Sequence, residues 1–269
     1  MITRCCSFVV AAFLVVFSHP SVEAKGDARS VRNKLFKCHL TNKSHDKIYH
    51  KILDDIKLDK TRNIAIPGIA LCSVKRTKRT SKTDREMFIK AIAAVSNYVN
   101  QIIMEHRSFV IMVSKKMKAK IALTNSEQQT FDMICSFYQS ENIDELLRRV
   151  VPVPSSLTVA QASLESGFGS HSAIHRKNAF FGMMQNSRKL LAFDTLLESV
   201  VAYTKTLNVN PCYKNFRKIR RKMLDGSQKI DGAKLSKALG QYAKSRNYND
   251  QLQRLIREYN LATLDRVYS

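Results

Sequence analysis

The stretch "VPVPSSLTVAQASLESGFG", residues 151–169, decides the fold because it predicts a short helix with well-defined ends. Its two prolines cannot lie inside a helix, and Ser155 or Ser156 is a favourable N-cap directly after them. Gly167 and Gly169 can adopt the left-handed backbone that commonly terminates a helix. The sequence therefore predicts a helix of about three turns that is small and apolar along most of its length.

Glu165 is the one carboxylate in that helix, and it falls in the last turn. Unpaired carbonyl groups make the C-terminal end of a helix negative, and Phe168 is placed to keep water away. Both effects favour the neutral acid and predict a raised pKa for Glu165. A carboxyl that stays protonated near neutral pH can act as a general acid, for example in the cleavage of an acetal. An ion pair with Arg176 or Lys177 is the structural alternative.

Helical spacing of apolar residues dominates the chain from Thr83 onward, beginning with "TDREMFIKAIAAVSNYVNQIIMEHRSFVIMV". Thr83 followed by Glu86 is typical of a capping box. A second helix is predicted to begin at Asn125 or Ser126, and "NIDELLRRV" predicts a short third helix. No stretch has the alternation or the turn pairs that indicate strands. The sequence predicts an all-α or α-dominated protein.

Residues 1–24 have the pattern of a secretory signal peptide: a positive start, the apolar run "SFVVAAFLVVF", and a polar end with small residues. The run is shorter than the ~20 residues that span a bilayer, and we expect no later segment to reach that length. An uncleaved N-terminal anchor is the alternative. The pattern predicts an exported protein.

Changes in composition divide the remaining chain into three parts. Residues 25–82 are basic and weakly periodic, which predicts a partly disordered or partly helical linker. Residues 83–143 are predicted to form a helical N-terminal arm, and residues 144–269 a C-terminal domain.

The formal charge of +23 favours polyanionic partners, and removing residues 1–24 leaves it unchanged because one Arg and one Glu are lost together. The runs "KRTKRTSK" (75–82) and "RKIRRK" (217–222) resemble phosphate-binding segments. Because export is predicted, we expect the cell wall or an anionic envelope surface as partner, and no nucleic acid. Solvated basic faces without a binding role are the alternative.

Four cysteines remain after residue 24, and none has the close spacing of a zinc or redox motif. Export permits disulfides, three pairings are open, and free buried thiols are the alternative. The cysteines are Cys38, Cys72, Cys135 and Cys212.

The sequence predicts neither a metal nor a cofactor. His171 and His175 are four residues apart, but no third ligand of suitable type stands near them. The residues between them also lack the acid of a metalloprotease helix.

The stretch 151–169, followed by "NAFFGM", resembles the motif of the bacterial glucosaminidase family (mannosyl-glycoprotein endo-beta-N-acetylglucosaminidase-like). In that motif a Pro-Ser-initiated helix ends in Glu-Ser-(Trp or Phe)-Gly and is followed by Asn-x-Phe-Gly. The segments "LLRRVVPVPSSL", "SVVAYTKTLNVNPCYKNFRKIR" and "LSKALGQYAKSRNYNDQLQRLIREYNL" resemble family segments in the same order, over residues 83–264. The resemblance implies a lysozyme-like helical fold that cleaves peptidoglycan or a similar N-acetylglucosamine polymer.

The resemblance also implies the site residues. It places the catalytic acid on Glu165 and a catalytic tyrosine on Tyr242, whose phenol would orient the acetamido group of the substrate or the attacking water. An ordinary half-buried aromatic residue is the alternative for Tyr242. The substrate-binding residues expected around them are Gln161, Phe168, Asn178, Phe180, Phe181, Tyr203 and Tyr248.

The chain departs from the family pattern in two ways. Family members usually carry a hairpin lobe with a second carboxylate after Phe-Gly, whereas here "MMQNSRKLLAF" is expected to pass almost directly into the next helix. The next acids, Asp194 and Glu198, fit a helix start better than a catalytic base. The chain also has no Trp, so any sugar platform falls to Phe168, Phe180, Tyr203, Tyr213 and Tyr242.

Three functions follow from these features. The first is an exported glycosidase in which Glu165 is the lone acid and base with help from the substrate, or works with an acid that the pattern does not locate. The second is a lytic transglycosylase, which needs one glutamate. The third is a basic wall-binding protein that has lost turnover.

Overall fold

The computed structural model describes residues 81–172, 176–186, 189–240, 242–243 and 247–266. The predicted signal peptide and all but the last two residues of the predicted linker lie outside these ranges. The helices are α1 (Lys82–Lys118), α2 (Asn125–Tyr138), α3 (Ile143–Arg149), α4 (Ser155–Ser166), α5 (Leu196–Val209), α6 (Lys214–Asp225), α7 (Gly232–Ser236) and α8 (Tyr248–Glu258). Two short strands, β1 (Met184–Asn186) and β2 (Lys189–Leu190), and 3₁₀ turns at Pro211–Tyr213 and Leu261–Leu264 complete the described elements.

Helix α4 lies at the centre, and every residue from Ser155 to Ser163 is buried. It packs most extensively on α1, and also on α7, α8 and the last 3₁₀ turn. Its small side chains let these neighbours approach closely. The helix ends where the sequence predicts, because Gly167 is left-handed with φ 56°.

The start of α4 differs in detail from the prediction. Ser155 is the first helical residue, and Pro154 occupies the N-cap position without a side-chain cap hydrogen bond. The Ser155 hydroxyl instead donates to Asn97 Oδ1 of α1 at 2.9 Å. The serines at the start of α4 are therefore used to join elements rather than to cap their own helix.

A carboxylate from the end of the chain takes over the capping of α4. Asp265 Oδ1 accepts from the Ser156 backbone N–H at 2.9 Å, and Oδ2 accepts from the Ser156 hydroxyl at 2.7 Å and the Gly232 N–H at 3.1 Å. A Cβ on Gly232 would lie 2.1 Å from Ser156 Oγ, so only glycine fits there. Asp265 thereby ties the C-terminal segment, α7 and the positive end of α4 together.

Helix α1 begins at Lys82, earlier than predicted. Its capping box is formed by Ser81 and Asp84, because the Ser81 hydroxyl accepts from the Asp84 N–H and the Asp84 carboxylate accepts from the Ser81 N–H. Thr83 and Glu86, which carried the prediction, lie inside the first turns. Two capping patterns overlap in this segment, and the earlier one is used.

The 37 residues of α1 correct the expectation that no later segment is long and apolar enough to cross a bilayer. In the described part of the chain α1 meets that test by length and composition, but 56% of its apolar window is buried inside the protein. One cluster of buried residues runs from Phe88 of α1 to Leu261. The predicted arm and the predicted C-terminal domain therefore share one core.

The remaining elements agree with an α-dominated fold, and that prediction is confirmed. Helix α2 begins at Asn125 behind Thr124, and α3 spans Ile143–Arg149. The segment after Gly182 does not pass directly into the next helix, because β1 and β2 pair antiparallel as a small hairpin. Two or three paired residues are too few to give a strand pattern in the sequence.

The described cysteines differ in state. Cys135 is a free, buried thiol whose pKa is raised to about 11 by burial. Cys212 is disulfide-bonded. Cys38 and Cys72 lie outside the described residues.

Replacing Asp265 with Ala should destabilise the protein by about 3 kcal/mol, because two buried N–H groups and a buried hydroxyl lose their acceptor. Asp144, an exposed acid in the first turn of α3, is the matched control, and Asp144→Ala should cost about 0.5 kcal/mol. Equilibrium urea unfolding measures both. A loss below about 1 kcal/mol for Asp265→Ala would show that the carboxylate does not hold these elements.

Candidate active site

Glu165 lies in the last turn of α4 with a partly buried carboxyl. Burial raises its pKa, and a hydrogen bond from Tyr248 acts in the opposite direction. Within the described ranges no Lys or Arg forms an ion pair with Glu165, so the alternative pairing with Arg176 or Lys177 is not realised. The predicted direction of the pKa shift is confirmed.

Three buried side chains form a hydrogen-bond chain that ends on this carboxyl. The Tyr203 hydroxyl donates to Gln161 Oε1 at 2.6 Å, and Gln161 Nε2 donates to the Tyr248 hydroxyl at 3.0 Å. The Tyr248 hydroxyl then donates to Glu165 Oε1 at 2.8 Å. Because each donor points toward Glu165, each bond polarises the next and fixes the carboxyl between α4, α5 and α8.

Stacked aromatic rings hold the tyrosines of this chain in place. Tyr242 stacks on Tyr248, with ring centroids 5.8 Å apart, and Phe181 stacks on Tyr203 at 4.1 Å. The Tyr242 hydroxyl donates to the backbone carbonyl of Phe181 at 2.8 Å. Tyr242 therefore links the two stacks.

Gly182 leaves room for the second oxygen of the carboxyl. Its φ of +61° is left-handed, and a Cβ built there would lie 2.8 Å from Glu165 Oε2. Glycine is thus required both by the backbone conformation and by the close approach of the acid. Oε1 faces Tyr248, and Oε2 faces the backbone at Gly182.

Several predicted substrate-binding residues are buried in this structure. Gln161, Phe180 and Tyr203 are each 0% exposed, and Phe181 is 1% exposed. Both polar groups of Gln161 have partners within the protein. These side chains support Glu165 from behind, and their substrate-binding roles stay predictions.

Asn178, whose role in holding the sugar stays a prediction, is buried as well. It is 4% exposed, and its Nδ2 donates to the carbonyls of Phe193 at 2.9 Å and Asp194 at 3.1 Å. It has a left-handed φ of 47°. Asn178 therefore fastens the segment that follows the β1–β2 hairpin.

Phe168 is more than a shield that keeps water from Glu165, because its ring packs against other side chains. Its ring contacts Phe88 at 6.1 Å and Tyr259 at 5.4 Å between centroids, and the Arg85 guanidinium lies 5.2 Å from it. These contacts anchor the end of α4 on α1. Phe168 is partly exposed, and its substrate-binding role stays a prediction.

Of the predicted site residues, the structure brings Glu165, Tyr242 and Tyr248 together. The resemblance gave the catalytic phenol to Tyr242, but Tyr248 is the tyrosine that contacts the carboxyl. The catalytic roles of Glu165 and Tyr242 and the substrate-binding role of Tyr248 stay predictions. No local signal distinguishes the two tyrosines, because the choice depends on how α8 meets α4.

Of the next acids along the chain, Glu198 serves the start of α5, as predicted. Glu198 Oε2 accepts from the Asp194 N–H at 2.9 Å, and the Glu198 N–H donates to the Thr195 hydroxyl. The gaps in the description between residues 81 and 266 contain no Asp or Glu. Among the acids that the structure describes, Glu165 is the one whose carboxylate accepts a hydrogen bond from Tyr248.

Of the two histidines singled out by their spacing, His171 is exposed in the loop after α4, and His175 lies outside the described residues.

The region that contains Glu165, Tyr242 and Tyr248 is similar to known proteins. Residues 141–261 match the model of the Glucosaminidase family, described as mannosyl-glycoprotein endo-beta-N-acetylglucosaminidase. The chain is 31% identical over 118 residues to Protein bax of Escherichia coli (strain K12), which covers 40% of this chain and 43% of that protein. No solved structure matches the chain. The resemblance drawn from the residues, to this family and to a Bax-like protein, is confirmed.

Replacing Tyr248 with Phe should raise the pKa of Glu165 further. The O–H donated to Oε1 stabilises the carboxylate, so its removal favours the protonated form. Carbon-detected NMR titration of the Glu165 carboxyl measures the change.

Tyr242→Phe is the matched control and should leave the pKa of Glu165 in place, because the Tyr242 hydroxyl donates to a backbone carbonyl. An unchanged or lower pKa in Tyr248→Phe would contradict the assignment of this hydrogen bond.

Proposed function

Because residues 141–261 form a domain of the glucosaminidase family, a glycoside hydrolase family, we propose that the protein cleaves N-acetylglucosamine-containing cell-wall glycan, namely peptidoglycan, with Glu165 as general acid. The observation that carries the proposal is the partly buried Glu165 carboxyl, with its raised pKa, at the end of the Tyr203–Gln161–Tyr248 chain.

The geometry favours one oxygen of Glu165 as the proton donor. Oε1 accepts the Tyr248 hydroxyl, so the proton of the neutral acid belongs on Oε2, beside Gly182. A glycosidic oxygen is a poor leaving group until it receives a proton, and Glu165 Oε2 supplies it as the bond to the anomeric carbon breaks. The carboxylate that remains keeps the hydrogen bond from Tyr248.

A single carboxylate restricts how the reaction is completed. The carbonyl oxygen of the substrate's own N-acetyl group attacks the anomeric carbon and forms a cyclic intermediate. Water then attacks the same carbon, and the Glu165 carboxylate takes its proton. Asp194 and Glu198 are not needed for either step, and Glu198 is already used at the start of α5.

The same observation favours one alternative reaction. A lytic transglycosylase also needs one glutamate, which first protonates the leaving oxygen and then takes the proton from the sugar hydroxyl that closes an anhydro ring. The bond that is cut and the form of the product distinguish the two enzymes.

Two features support a place for this reaction in the bacterial envelope, periplasmic or secreted. The disulfide at Cys212 is typical of an oxidising compartment, and the first 24 residues have the pattern of a signal peptide. The charge of +23 suits an anionic wall or lipid surface.

The deciding experiment incubates purified peptidoglycan with the protein and with Glu165→Gln and identifies the soluble products by mass spectrometry. Gln keeps an acceptor for Tyr248 but has no proton to give, so turnover should fall at least ~100-fold. Reducing-end N-acetylglucosamine would establish the hydrolase, and anhydro-muramyl ends the transglycosylase. Co-sedimentation with the wall but no products from either protein would replace the proposal with a binding protein.

Gly182→Ala should lower turnover by about 100-fold, because the new methyl group displaces Oε2, the oxygen proposed to give the proton. Gly240→Ala is the matched control. A Cβ there meets nothing within 4 Å, so turnover should change by less than about twofold. Circular dichroism checks that both variants fold, and a folded Gly182→Ala variant with full activity would contradict the proposed position of the acid.

A further inference from the structure

Two arginines of the basic run "RKIRRK" of α6 are buried inside the protein, which the sequence analysis did not anticipate. Arg220 is 0% exposed and Arg217 is 4% exposed. In the part of the chain that the structure describes, Arg220 Nε, Nη1 and Nη2 find no hydrogen-bond acceptor. A buried guanidinium with three unpaired donor nitrogens is rare, because buried charges are normally paired.

Two other buried arginines lie near Arg220. Arg107 of α1 is 7% exposed, and its Nη1 donates to carbonyls at the end of α3. Arg217 Nη1 donates to carbonyls at the end of α5. Burial, together with the charges of Arg217 and Arg107, lowers the pKa of Arg220 to about 9, so the guanidinium remains cationic at neutral pH.

The acids near this cluster already have partners at its edge. Glu145 binds Arg148 and Arg149, and Asp225 binds Arg221. Among the described residues, the groups that raise the pKa of Arg220 are the phenols Tyr138 and Tyr203, and no carboxylate does so. Asp225 acts on Arg107 and Glu145 acts on Arg217, but within the described residues Arg220 is left without an anion or a hydrogen-bond acceptor, which is electrostatically unfavourable.

We propose that Arg220 forms an internal binding site for a small monovalent inorganic anion of the halide class, with chloride as the physiological ligand. The complete burial of Arg220 excludes a sugar, a lipid headgroup or a peptide carboxylate as the ligand. A halide is small and accepts hydrogen bonds from N–H groups in any direction. This suits the Arg220 guanidinium, whose planar face packs on Phe216 with its central carbon 5.2 Å from the ring centroid. The anion neutralises the junction of α1, α3, α5 and α6 and is independent of the proposed reaction.

The test compares thermal unfolding of the full-length protein in potassium chloride and in potassium gluconate at equal ionic strength. Gluconate is too large for the site. A specific ligand stabilises the folded state by mass action, so Tm should rise by about 2–5 °C in 0.2 M chloride and approach saturation. Equal Tm values in the two salts would overturn the proposal.

Arg220→Met tests the position of the site, because Met fills the buried volume without a charge. Its Tm should be the same in both salts, whereas Arg254→Met, at an exposed position of α8, should keep the chloride effect. A chloride effect that persists in Arg220→Met would place the anion elsewhere and overturn the proposal.

If Arg220→Met does not fold, a bromide-soaked crystal of the unaltered protein decides the question. An anomalous peak within hydrogen-bonding distance of the Arg220 nitrogens supports the site. Water alone at those nitrogens overturns it.

Discussion

The burial of α4 is the constraint on which the rest of the structure depends. Helix α4 is hidden over nine consecutive residues, Ser155–Ser163, and three of its polar side chains are satisfied by neighbouring elements. Ser155 bonds to α1, Ser156 bonds to Asp265, and Gln161 bonds to α5 and α8. These hydrogen bonds specify how the neighbours are arranged, whereas the apolar contacts of small side chains would tolerate several arrangements.

The two acids at the ends of α4 show how the environment separates a structural carboxyl from a reactive one. Burial raises the pKa of both. Asp265 accepts three hydrogen bonds at the positive end of the helix, so both of its oxygens are occupied. Glu165 lies at the negative end and accepts one bond, from Tyr248, which leaves Oε2 without a protein donor in the described structure. The second acid is therefore the one with capacity for proton transfer.

Local features of the fold were predictable from sequence, and features that depend on distant contacts were not. The end of α4 and the position of Glu165 follow from Pro154, Gly167 and the residues between them. The cap from Asp265 joins residues 109 positions apart, and no local pattern indicates it. Similarly, composition identifies Phe180, Phe181 and Tyr203 as aromatic residues near the motif but does not show that their rings face inward. Arg220 could have been recognised, because Phe216, Arg220 and Leu224 share one helical stripe and the two apolar residues mark it as the inner face.

The direction of the hydrogen-bond chain explains how one carboxyl can serve the proposed reaction twice. A lone acid must be neutral when the glycosidic bond breaks and anionic when the next nucleophile gives up its proton. Burial raises the pKa of Glu165 and favours the neutral form, and the hydrogen bond from Tyr248, at the end of the chain from Tyr203 through Gln161, favours the anion. These two influences oppose each other at the same carboxyl. In the proposed reaction the one group can therefore give a proton in the first step and take one in the second, without a second carboxylate for the proton transfers.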